Sequence, residues 1–99
     1  MGIHLTPLQV CQRLIGSNEL IGEVCGIHPK SPYPWARKST GREAGDIPHA
    51  NHMRRLLAHS AARGLGLTAE HLIWGADEAE IEAILAARPP HPPQMEAAE

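Results

Sequence analysis

The chain has no phenylalanine, one tyrosine and two tryptophans among 99 residues, so aromatic stacking cannot dominate its interior. The core therefore falls to Leu, Ile, Val, Ala and Met. With abundant Ala, Leu, Glu and Arg this favours helices, because such side chains lose little rotamer freedom on a helix. An all-α fold with no substantial strand is expected. Two cysteines, Cys11 and Cys25, are too few for a disulfide framework. Each sits among apolar residues at helical spacing, where a reduced cysteine acts as a small hydrophobe. Apolar runs are only a few residues long, which excludes a transmembrane span, and the N-terminus lacks the charged-then-apolar pattern of a signal peptide. A cytoplasmic location without membrane contact is expected. The sequence also lacks a Gly-rich phosphate loop, a nucleophile-elbow pattern and a pair of carboxylates in an apolar setting, so neither an enzyme nor a cofactor is expected.

The overall charge is only −2, but it is unevenly spread. Residues 28–63 hold Lys30, Arg37, Lys38, Arg42, Arg54, Arg55 and Arg63 against Glu43 and Asp46, a net of +5, with His28, His49, His52 and His59 besides. Residues 64–99 hold one arginine against seven acids, a net of −6. A basic block confined to one part of a small domain is the electrostatic footprint of a phosphate-binding surface.

Local signals divide the chain into five to six short helices. Thr6-Pro7-Leu8-Gln9 combines a capping hydroxyl, a proline at the first helical position and a Gln three residues on. The helix it starts carries Leu8, Cys11, Leu14 and Ile15 on one stripe and stops at Gly16. Ser17 or Asn18 caps a second helix with Leu20, Ile21, Val24 and Cys25 inward, and Gly26 lies beyond its end. Gly22, in its middle, implies close approach of another helix. Three prolines between 28 and 38 allow at most a short or distorted helical turn around Tyr33 to Arg37, and Ser39 to Gly45 reads as a mobile loop carrying Arg42. Pro48 fits the first turn of the longest helix, which runs through Arg63 with Ile47, Met53, Leu56, Leu57 and Ala61 inward and Gly64 as its stop. Thr68 caps a short helix bearing Leu72, Ile73 and Trp74, with both tryptophans expected in the core. Asp77 and Glu80 make a capping-box-like start for a last helix whose stripe is Ile81, Ile84 and Leu85. The domain spans 1–88, with its core in 5–75 and the extra helix at about 77–88; Pro-rich residues 89–99 read as a disordered tail.

A small residue at Gly22, glycine at Gly26 and Trp35 nine positions later resembles the helix-turn-helix of lambda-repressor-like and Cro-like proteins. The run from Trp35 through a Gly-containing basic loop to Ile47-Pro48, then a helix with Leu56-Leu57 and the stretch Gly66 to Leu72, is similar to the small bacterial helix-turn-helix domains called carph-isopro. The resemblance covers about residues 7–75. It implies a DNA-binding transcriptional regulator of bacterial or phage type, with the third helix as the reading element. A short helix from Ser31-Pro32 would present Lys30, Ser31, Tyr33 and Arg37, with Lys38 and Arg42 as further phosphate or base contacts, Arg54 and Arg55 as secondary ones, and His28 as a cap or DNA contact. The same scaffold is compatible with a homodimer through Ile81, Ile84 and Leu85, or with an interaction module contacting RNA polymerase or a phage component. His49-x-x-His52, with His59 seven residues on, has a spacing that can chelate. The cysteines form no close pair, so no metal is expected.

Overall fold

The structure, a computed structural model, describes residues 2–88. Thr6 forms the expected capping box: its Oγ1 accepts from the Gln9 N–H, and Gln9 Oε1 accepts from the Thr6 N–H. From it runs α1 (Pro7–Leu14), and Ser17 likewise caps α2 (Asn18–Cys25), which ends on a left-handed Gly26. A single 3-10 turn (Tyr33–Ala36) follows. Helix α3 (Ala50–Arg63) starts two residues past Pro48, behind the cap His49, so Pro48 precedes the helix and does not sit in its first turn, and the helix stops at a left-handed Gly64. Thr68 caps α4 (Ala69–Trp74), and α5 (Glu78–Ala87) closes the described chain.

The fold is mostly helical but not strictly all-α. His4–Leu5 (β1) pair antiparallel with Ala76–Asp77 (β2), and the Glu78 N–H continues the ribbon onto the Ile3 carbonyl at 2.7 Å. Helix α1 is the central element: α4 and α5 pack against it, while α2 packs on α3. Leu8, Val10, Cys11 and Leu14 of α1 meet Ile21, Trp35, Leu56, Leu72 and Ile81 in one core. Burial pushes the Cys11 thiol up to about 12 and the Cys25 thiol up to about 11, so both are protonated packing groups at neutral pH. Ile81 is fully buried and Ile84 and Leu85 pack against the same core, so the α5 stripe is covered within the chain.

Several side chains sit otherwise than the pattern implies. Ala61 is exposed and its neighbour Ser60 is buried instead, with the Ser60 Oγ accepting from the Leu67 N–H at 3.0 Å. Trp74 is 73 % exposed, because α4 ends there and the next residue turns the chain into β2. The Asp77–Glu80 capping box does not form, since both carboxylates take tertiary partners: Asp77 meets His4 Nδ1 at 3.0 Å and Glu80 meets His71 Nε2 at 2.7 Å. Buried His71 also accepts the Thr68 N–H on Nδ1 at 3.1 Å, an arrangement satisfied by the tautomer with its proton on Nε2. Arg88 donates to the carbonyls of Leu14 and Leu65, which supplies a partner to the C-terminal end of α1. Among the described residues no helix is long and apolar enough to cross a membrane. The stretch 89–99, read from sequence as a disordered tail, lies outside the described residues.

Candidate nucleic-acid interface

The candidate surface begins where α2 ends. Gly26 adopts φ 78°, ψ 27°, and the Ile27 N–H closes onto the Gly22 carbonyl. Two tight turns follow, Ser31 N–H to the His28 carbonyl and Tyr33 N–H to the Lys30 carbonyl, with His28 Nδ1 accepting the Lys30 N–H at 3.0 Å. This loop lies directly on Gly22: a Cβ there would stand 2.8 Å from the His28 carbonyl oxygen and 3.0 Å from Pro29 Cα. Close approach is thus the reason for the glycine, although the approaching element is an irregular loop and not a helix.

Prolines decide what comes next. Pro34 has no N–H to donate, and the segment that the resemblance assigns to a recognition helix is one four-residue 3-10 turn. Trp35, 6 % exposed, anchors that turn. Its ring stacks on His52 of α3 at 5.6 Å between centroids, and His49 meets His52 edge-on at 5.1 Å. The His49-x-x-His52 spacing therefore serves aromatic packing here, and among the described residues no three His, Cys, Asp or Glu side chains gather as they would around a metal ion. His52 Nδ1 is buried without a hydrogen-bond partner among the described residues. Burial, then the neighbouring His49 and Arg55, holds its pKa below the ordinary value.

Hydrogen bonds organise the loop after Trp35. The Trp35 carbonyl accepts from the Gly45 N–H at 2.7 Å and from Arg42 Nη1 at 3.1 Å, while the same Arg42 nitrogen reaches the Arg37 carbonyl at 3.2 Å. Ser39 and Arg42 exchange backbone hydrogen bonds across a two-residue hairpin with Gly41 at φ 75°. The Gly45 carbonyl then accepts the Leu8 N–H, which ties the loop to the start of α1. Arg42, expected as a DNA contact on a mobile loop, is a half-buried clamp on two carbonyls.

The exposed set is therefore Lys30, Tyr33, Arg37, Lys38, Arg54 and Arg55, with exposed His28 and half-buried Ser31 on the first turn. Arg55 lies against the C-terminal end of α2, its Nη1 3.0 Å from where a Gly26 Cβ would stand, and so joins the surface to α3. No hydrogen bond or ion pair joins Arg54 to this group among the described residues. Lys38 pairs with Glu43 at 3.8 Å across two exposed side chains, a contact worth little. Lys30 Nζ stands 5.3 Å from the Tyr33 ring centroid, and the Tyr33 hydroxyl donates to Glu19 Oε2. That hydrogen bond lowers the Glu19 pKa and raises that of Tyr33. Glu19, an acid set within the basic surface, carries no local sequence signal, because its partner lies fourteen residues away. In comparisons with known proteins, no family model, no curated protein and no solved structure matches this chain.

Proposed function

We propose that the chain is a DNA-binding regulator of bacterial or phage type that holds duplex DNA with the 28–38 segment and the first half of α3. The observation that carries this reading is the set of exposed cations Lys30, Arg37, Arg54 and Arg55, none of which forms an ion pair among the described residues. Phosphate contacts need cations on a surface and do not need a helix in the groove. The left-handed Gly26 and the buried Trp35 are features the lambda-repressor-like resemblance uses, whereas Gly22 packs against a loop and not a helix. With only a 3-10 turn in the recognition position, base contacts fall to Lys30, Ser31 and Tyr33 at the loop tip, and phosphates carry most of the affinity.

A second reading, an interaction module for RNA polymerase or another protein, is favoured by Trp74 and Ile73, which stand 73 % and 58 % exposed at the end of α4. Binding of mixed-sequence duplex DNA across a salt series separates the two. On the DNA reading, affinity falls steeply with salt, and the double variant Arg37→Ala, Lys38→Ala lowers the log–log salt slope by about 1.8 with an unchanged melting midpoint. Absence of binding at low salt, or an unchanged slope in the folded variant, rejects DNA and leaves the protein-partner reading.

A further inference from the structure

A groove of about 360 Å³ opens where the end of α1, the first turn of α2 and the last turns of α3 converge. It is lined by Ile15, Leu20, His59, Arg63 and Leu65. Three of the five are aliphatic. The other two, His59 and Arg63, stand four residues apart on α3 and therefore on one face of it. Arg63 forms no hydrogen bond or ion pair among the described residues, and the lining includes no acid. The neighbouring cation Arg88 is engaged by the Leu14 and Leu65 carbonyls. Burial, then the charge of Arg63, holds His59 below its ordinary pKa, so Arg63 is the one permanent charge of the lining and no acid of the lining offsets it.

We infer that this groove is a binding site for a small amphipathic organic acid, with one carboxylate against Arg63 and His59 and a short aliphatic body over Ile15, Leu20 and Leu65. The guanidinium offers a planar pair of donors that matches a carboxylate, and a carboxylate placed between Arg63 and His59 also favours protonation of the His59 ring, which then adds a second charged donor. The volume lies within the range of small-ligand sites, on the order of 300–1,000 Å³. One side of the groove is open, so the fit is to the length and charge of the ligand and not to its full outline. The site is separate from the proposed DNA surface, and its occupancy does not depend on that reading.

The test uses octanoate as the probe, titrated into the full chain and followed by nuclear magnetic resonance at the methyl groups of Ile15, Leu20 and Leu65 and at the His59 ring. Saturable shifts at these groups are expected, with the His59 ring titrating at higher pH when octanoate is bound. Octanol, with the same body and no charge, and the exposed-site variant Arg63→Gln are each expected to weaken binding about fivefold or more. Shifts that do not saturate, shifts centred on Ile73 and Trp74, equal binding of octanol, or unchanged binding by a folded Arg63→Gln protein would each overturn the assignment.

Discussion

Between residues 28 and 63, seven lysine and arginine side chains meet two acids and form one described ion pair, Lys38 with Glu43. Between 64 and 88 the acids are differently placed: Asp77 pairs with His4, Glu78 with Arg13 at 2.8 Å, and Glu80 with His71. Each of these joins the C-terminal layer to another element or another turn of the chain. Three of the five acids in the second region thus bridge elements of the fold, with Glu70 and Glu82 exposed, whereas most cations in the first are left facing solvent. A net charge of −2 conceals this, because it adds ions already paired to ions still free.

The two tryptophans offer the sharpest way to break that contrast. Trp35→Ala removes the anchor of the basic loop and its stack on His52, and should destabilise the protein by about 3–5 kcal/mol in denaturant unfolding. A loss below about 1 kcal/mol would mean that the hydrogen bonds of Arg42 and Gly45 hold the loop without the ring.

Acid should act on the two regions in opposite directions. His52 has a folded pKa below its ordinary 6.5, so its contribution is present above about that pH and is lost as pH falls through the depressed folded value. His4 donates to both Asp77 and the Trp74 carbonyl, and its folded pKa is raised, chiefly by the Asp77 hydrogen bond. Its contribution is full below 6.5 and is lost as pH rises through the elevated value. Melting curves from about pH 8 to about pH 5.5 should therefore show a shallower acid-side decline in His52→Phe, with the remainder carried by His59, whose pKa is also lowered, while His4→Gln should lose its acid-side gain and decline more steeply. Parallel curves for both variants and the parent protein would show that neither imidazole carries the dependence. The smallest effect is expected at Trp74→Ala, within about 0.5 kcal/mol of the parent protein, since little of that ring is covered.

Features of the fold that depend on neighbours a few residues away were legible in the sequence. Thr6, Ser17 and Thr68 cap the helices predicted from them, Gly26 and Gly64 end helices in the left-handed conformation, and the prolines limit residues 33–36 to one turn. Some readings failed at helix ends and helix phase, as with exposed Trp74 and Ala61, and others where a distant partner overrode a local preference. Asp77 and Glu80 have the spacing of a capping box, but His4 and His71 are stronger competitors for their oxygens. Two-residue strands are too short for an alternating pattern, so β1 and β2 are defined only by each other. The basic surface was legible as a charge block. Its division into free cations and the Arg42 clamp was not, because that depends on which carbonyls the folded loop brings within reach.

The β1–β2 ribbon also bears on the order of assembly. Pairing His4 with Asp77 closes a loop of more than seventy residues, whereas the α1, α2 and α3 contacts join segments much nearer in sequence. Loop closure rises in entropic cost with length, and contacts that span most of a chain are generally made after the local ones. By this argument the ribbon is expected to close late, together with the α1–α5 contacts, such as Arg88 on the Leu14 carbonyl, that span as much of the chain, so that the two ends of the described chain form one clasp over the helices between them.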